Sequence, residues 1–163
     1  MDPTVFLSYS RDDQAVAQRI ADALRGSGIE VWLDTSELRG GETWDRNIQL
    51  QIKRCTLFMP IISGCTQQRS EGYFRFEWRL AIERMRHMAD GMPFLAPIAV
   101  DETSETHAVV PQEFLRVQWM RLPSGHPTPG FVEQIRRMLA APRAPAEAAV
   151  GTAGTGTIAI TGA

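Results

Sequence analysis

Short, almost wholly apolar runs alternate along the chain with longer segments whose apolar residues recur every three to four positions. Thr4-Val-Phe-Leu-Ser-Tyr9, Ile29 to Leu33, Thr56-Leu-Phe-Met-Pro-Ile-Ile62, Phe94 to Val100 and Val117 to Leu122 are the runs. Their length and continuity suit strands buried on both faces of a parallel sheet. Ser10 followed by Asp13 forms a capping-box variant that predicts a helix start, with Val16, Ile20, Ala23 and Leu24 on its apolar face and a stop at Gly26-Ser-Gly28. Trp44, Ile48 and Ile52 mark a short second helix. Phe74, Trp78, Ala81, Ile82 and Met85 fall at i, i+4, i+7, i+8 and i+11, the stripe of a helix packed on a core. Phe131, Ile135, Met138 and Leu139 form the last such stripe. Strands and helices in strict alternation, joined by short links, predict an open α/β sheet with right-handed parallel crossovers.

Prolines interrupt two of the runs. Pro60 cannot donate to a ladder, which predicts a bulge or a strand end there, and Pro97 sits inside the fourth run. Polar segments at 34–43, with Gly40-Gly41, at 63–72 and at 101–111 read as loops. The glycines Gly26 and Gly28 precede a strand rather than a helix, so they form a turn and not a dinucleotide loop. Residues 1–140 are therefore expected to form one domain. From 141 to 163 the composition collapses to Ala, Gly, Thr and Pro with Arg143 and Glu147 the only charges. Such a segment buries too little apolar surface to offset its ordering entropy and reads as a flexible linker or tail.

Charge narrows the partners. With 17 Lys+Arg against 19 Asp+Glu and no run of like charge, no field favours nucleic acid or an anionic membrane. No apolar run approaches the roughly 18 residues a membrane span needs, and the N-terminus carries no signal pattern, so a cytoplasmic chain is expected. Cys55 and Cys65 stand without a CxxC or a histidine at ligand spacing, which predicts no metal site and two buried thiols.

In an open α/β sheet, ligands bind beyond the carboxyl ends of the strands. The residues that fall there are Ser8, Tyr9, Ser10 and Arg11 after the first strand, Asp34 onward after the second, and Ser63 after the third. Tyr73 and Glu77 lie four apart on the following helix, an aromatic ring one turn from a carboxylate. A Gly-x-Ser-x-Gly elbow, a Walker A loop and an HExxH motif are all absent. A phospho-accepting receiver shares this strand pattern, but needs an aspartate where this chain has Ile62-Ser63. From spacing alone, Glu77 between Arg75 and Arg79 reads more readily as a solvated helix glutamate than as a catalytic group.

Phe6-Leu-Ser-Tyr-Ser-Arg-Asp-Asp13, Val31-Trp-Leu-Asp34 through Arg39-Gly-Gly-Glu-Thr-Trp44, and Phe76-Glu77-Trp78, in that order, resemble the TIR (Toll/interleukin-1 receptor) domain over roughly residues 4–140. The resemblance implies a flavodoxin-like fold, with five parallel strands in the order 2-1-3-4-5 and helices on both faces. It reverses the odds on Glu77. Enzymatic members of the family, of prokaryotic and plant defence among others, cleave NAD+ at the nicotinamide–ribose bond, using a glutamate on this helix with an aromatic, usually Trp, four residues earlier. Glu77 then matches the catalytic carboxylate, and Tyr73 takes the aromatic position. By the same resemblance Tyr73 and Trp44 stack on the flat rings of the substrate, while Arg11 and Arg39 meet the pyrophosphate. Tyr9, Ser10, Asp34 and Leu38 complete the substrate-binding set. NAD+ is then the substrate, hydrolysed to ADP-ribose or cyclised to one of its isomers, and no cofactor or metal is expected. The segment Asp34 to Thr43 corresponds to the BB loop, through which such domains self-associate. The other branch of the family consists of non-enzymatic adaptors working by TIR-to-TIR contact, and composition does not separate the two.

Overall fold

The computed structural model describes residues 2–33 and 42–143, with only the backbone of residues 42–44. Five strands, β1 (Thr4–Ser8), β2 (Glu30–Leu33), β3 (Leu57–Ile62), β4 (Ile98–Ala99) and β5 (Met120–Arg121), pair entirely in parallel. Their order is β2-β1-β3-β4-β5. Helices α1 (Gln14–Gly26), α2 (Glu42–Arg54), α3 (Gly64–Gln68), α4 (Tyr73–Met85) and α5 (Pro129–Ala140) connect or follow them.

Because side chains alternate across a strand, β1 feeds two separate layers. Val5 and Leu7 join Ile20, Leu24, Phe131 and Ile135 in a mostly aliphatic layer under α1 and α5. Phe6 points the other way and packs with Phe58, Phe74, Trp78 and Phe94 under α2 and α4. The rings there touch one another, Phe6 to Phe58 at 5.5 Å and Phe74 to Trp78 at 5.1 Å between centroids.

Several expectations shift. Ser10 and Asp13 make no capping box: Ser10 opens a single 3-10 turn, Arg11–Asp13, without a side-chain cap, and α1 begins only at Gln14. Its buried face is accordingly Ala17, Ile20, Ala21 and Leu24, one position round from the expected Val16 and Ala23. Gly28, at φ 82°, turns the chain out of α1 as expected. Pro60 breaks nothing. It pairs in register with Ser8 at the end of β1. Phe58, two residues earlier, donates its N–H to Phe94, so the donor Pro60 lacks falls on the β4-facing edge, where strand pairing is sparse. Pro97 has the larger effect, reducing the fourth run to two paired residues and an isolated bridge between Phe58 and Leu95. The expected loop 63–72 contains α3, capped by a reciprocal Ser63–Thr66 box. Among the described residues no helix is long and apolar enough to cross a membrane.

Candidate functional site

The carboxyl ends of β1 and β3 meet the first turns of α4, and there the second layer changes from aromatic to polar. Ser8 is the next residue after Phe6 on the same side of β1, so its hydroxyl enters that layer. It donates to Glu77 Oε1 at 2.8 Å, and both residues are fully buried. Glu77 owes its place to helical phase. Phe74, Trp78 and Ala81 carry α4 onto the sheet, and Glu77 sits on the flank of that stripe, where it turns inward at the strand ends. Removing a carboxylate from water is costly unless it is hydrogen-bonded, which makes a buried glutamate at this edge an exception that calls for a role.

One turn earlier Tyr73 is half-buried. Its hydroxyl donates to Asp45 Oδ1 at 2.8 Å, and its ring meets Phe76 edge-on at 5.5 Å. Asp45 lies in the first turn of α2, so this bond ties the start of α4 to the start of α2. The Tyr73 ring is thus oriented at its far end by a carboxylate.

Beside this pair runs a second polar group. Ser10 is buried, and its hydroxyl accepts from Arg69 Nη1 at 3.2 Å. Ser63 donates to Asp13 Oδ2 at 2.6 Å while its own oxygen caps α3 through the Thr66 N–H. Asp13 is buried, and burial, with the charges of Asp101 and Asp12 adding to it, holds its carboxyl above the usual range despite the Ser63 hydrogen bond. Asp101 is shifted the other way. Burial pushes it up, but hydrogen bonds from Thr103 and from the Gly64 N–H, with Arg121 nearby, more than reverse that. Burial pushes the Cys55 thiol up to about 12, which removes it as a nucleophile. Cys65, expected to be buried, is half-exposed, and its thiol too is pushed up, by burial and by Asp13. Among the described residues no group of His, Cys, Asp and Glu is arranged to hold a metal ion.

The residues singled out from the sequence therefore divide. Glu77, Tyr73 and Ser10 share the carboxyl edge on the α2–α4 side. Tyr9 packs against the aliphatic layer on the opposite face, as its alternation with Ser8 and Ser10 requires. Arg11 is exposed on the 3-10 turn. Asp34, Leu38 and Arg39 lie outside the described residues, as do the side chain of Trp44 and the tail beyond Arg143. Ser8, which the sequence places at this edge, is the residue that meets Glu77, in keeping with its step from Phe6 on a buried strand. Two participants were not singled out. Asp45 and Arg69 gave no readable signal, because they arrive through the packing of α2 and the fold of α3.

The sequence profile of the TIR domain family matches residues 5–139. The chain belongs to the TIR domain family. Among solved structures, this TIR domain is similar to a metazoan TIR-STING receptor from C. gigas, at 17% identity and a TM-score of 0.61. That match covers 85% of this chain and 40% of the receptor. It is also similar to the TIR domains of the activated Roq1 resistosome, which directly recognizes the pathogen effector XopQ, at 18% identity and a TM-score of 0.52. There 64% of this chain and 61% of that one are covered. A prokaryotic SEFIR domain matches at 18% identity and a TM-score of 0.53, over 86% of this chain and 94% of that one. At these identities the likeness is one of fold. The TIR domain thus spans less than two thirds of the length of the first two of these proteins. No curated protein matches the chain.

Proposed function

We propose that this TIR domain is an NAD+ nucleosidase, cleaving the nicotinamide–ribose bond with Glu77 as the essential carboxylate. The observation that carries this reading is the burial of Glu77 at the carboxyl ends of the strands, on the Ser8 hydroxyl, where a solvated helix glutamate would point to water. The chemistry asks little of the protein. Nicotinamide in NAD+ is already a pyridinium, so when the C1′–N bond breaks the electron pair goes to the ring nitrogen and a neutral molecule leaves. No general acid is required, unlike the two-carboxylate arrangement of ordinary glycosidases. The positive charge left at C1′ is stabilised by the Glu77 carboxylate, an effect that strengthens where water is excluded. Water adds to C1′ and gives up a proton, yielding ADP-ribose. Tyr73 supplies a stacking surface one turn away.

Glu77 has no exposed surface, so turnover requires an opening step. Self-association through 34–43 supplies it in this account: the Tyr73–Asp45 bond links α4 to the end of that segment, and a neighbour engaging the segment shifts α2 relative to α4. The test is nicotinamide release from NAD+ across a range of protein concentrations. Release per molecule that rises with concentration supports both parts of the proposal. A wild-type protein that releases none when concentrated or crowded is instead an adaptor acting through TIR-to-TIR contact.

A further inference from the structure

Arginine at a carboxyl edge is common, and most of the guanidinium groups here are spent on structure. Arg75 gives Nε, Nη1 and Nη2 to the carbonyls of Arg69, Val109 and Thr66 at 3.0, 2.8 and 2.6 Å, and lies over the rings of Phe74 and Trp78. Arg84 gives Nη1 to the carbonyls of Ile52 and Cys55 and covers Phe94. Arg69 is different. It is three-quarters buried, and its Nη1 alone is used, on Ser10 Oγ. Its ion pair with the half-exposed Asp12 is long, 3.8 Å. Among the described residues its Nε and Nη2 make no hydrogen bond. The backbone at Arg69 is nevertheless held still, because its carbonyl accepts from Arg75, which also grips the last turn of α3.

We infer that Arg69, seated on Ser10, is the phosphate-binding residue of the site and takes the pyrophosphate of a dinucleotide whose ribose lies at Glu77. The inference rests on the proposed NAD+ reading and adds the substrate contact that sequence had given to Arg11 and Arg39. The geometry behind it is simple. Ser8 holds Glu77 and Ser10 holds Arg69. The two serines are separated by one residue, Ser8 closing β1 and Ser10 following it in extended conformation. Carboxylate and guanidinium are therefore seated on neighbouring hydroxyls at one strand end of the sheet. A partly buried guanidinium whose Nε and Nη2 make no hydrogen bond among the described residues suits a phosphate better than an exposed arginine does, since it is already ordered and keeps two donors for bidentate contact. Arg11, exposed on its turn, has no such seat.

The test uses the full chain in three forms, wild type, Arg69→Gln and Arg69→Lys, with melting curves to establish equal folding. For NAD+ cleavage, Arg69→Gln is expected to raise KM at least tenfold with kcat within about threefold, the mark of lost ground-state binding, and Arg69→Lys to recover part of it. ADP-ribose binding, measured by calorimetry, should weaken at least tenfold in Arg69→Gln. An unchanged KM, or a loss confined to kcat, overturns the assignment. If the wild type releases no nicotinamide, the enzymatic reading falls and ADP-ribose decides alone. Binding that weakens tenfold in Arg69→Gln then upholds the phosphate subsite. Equal binding in both, or none to the wild type, overturns it.

Discussion

The two sides of the sheet are built to different rules. Under α1 and α5 the layer is mostly Val, Leu, Ile, Ala and Met. Under α2 and α4 it is largely aromatic, and at its carboxyl edge it accepts a buried glutamate. Aliphatic side chains fill space and bring no partners for a polar group. The second layer, by contrast, ends in a hydroxyl, Ser8, delivered by the same strand that delivers Phe6, with Ser10 just beyond the strand end. The difference teaches where a chemical site is affordable in this fold: on the side where strand-end polar residues and an inward-turned helix flank coincide. The aliphatic side supplies the rigidity against which that edge is held.

If this division is right, damage to the two sides separates. Ile20→Ala, in the aliphatic layer, is expected to cost about 2–5 kcal/mol of folding stability through the lost side chain and the cavity left behind. Nicotinamide release per folded molecule should stay at the wild-type level, which denaturant melts paired with activity at low temperature will check. A fall in specific activity as large as the fall in stability would erase the distinction. Ser8→Ala, on the other side, removes one hydroxyl. It should lower kcat about tenfold or more by letting the Glu77 carboxylate drift, with KM within twofold and a smaller loss of stability than Ile20→Ala. Steady-state kinetics on the folded fraction decide it.

The smallest effect sharpens the comparison by pH. Asp13 has its carboxyl held above the ordinary value, mainly by burial. In the window between the ordinary carboxylate value and that raised one, the folded state holds a proton that the unfolded state has released. Asp13 therefore favours folding at low pH, and the contribution is lost as pH rises through the raised value. Asp101, held below the ordinary value, works in the opposite sense, stabilising above it and losing that as pH falls. Asp13→Asn keeps an oxygen for Ser63 and removes the charge. The variant is expected to melt slightly higher than wild type at neutral pH and to match it in acid; equal melting at every pH would contradict the burial account.

Much of this was legible in the sequence for a physical reason. Period-two and period-3.6 patterns report which side chains are buried, so the five strands, the longer helices and the whole of α4 could be read directly, and the resemblance supplied strand order. Burial alone does not report partners. The stripe on α4 put Glu77 beside the core without saying that Ser8 would meet it. Local capping logic failed at Ser10 and Asp13 because tertiary partners, Arg69 and Ser63, outbid the helix end for the same atoms. Arg69 was hidden for a related reason: 63–72 lacks an apolar stripe, and its short helix forms on a serine box and the grip of Arg75. Pro60 misled in the other direction, since the cost of one absent donor is small on an edge where pairing is already sparse.

The most direct test of the central claim is nicotinamide release from NAD+ by concentrated wild type and Glu77→Gln side by side. The glutamine keeps the oxygen that accepts from Ser8 and removes only the charge, so the fold should persist, as circular dichroism will establish. Loss of about a thousandfold in rate is the expected result, the scale of removing a principal electrostatic stabiliser. A Glu77→Gln protein that cleaves NAD+ as fast as wild type would show that the buried carboxylate is not the site.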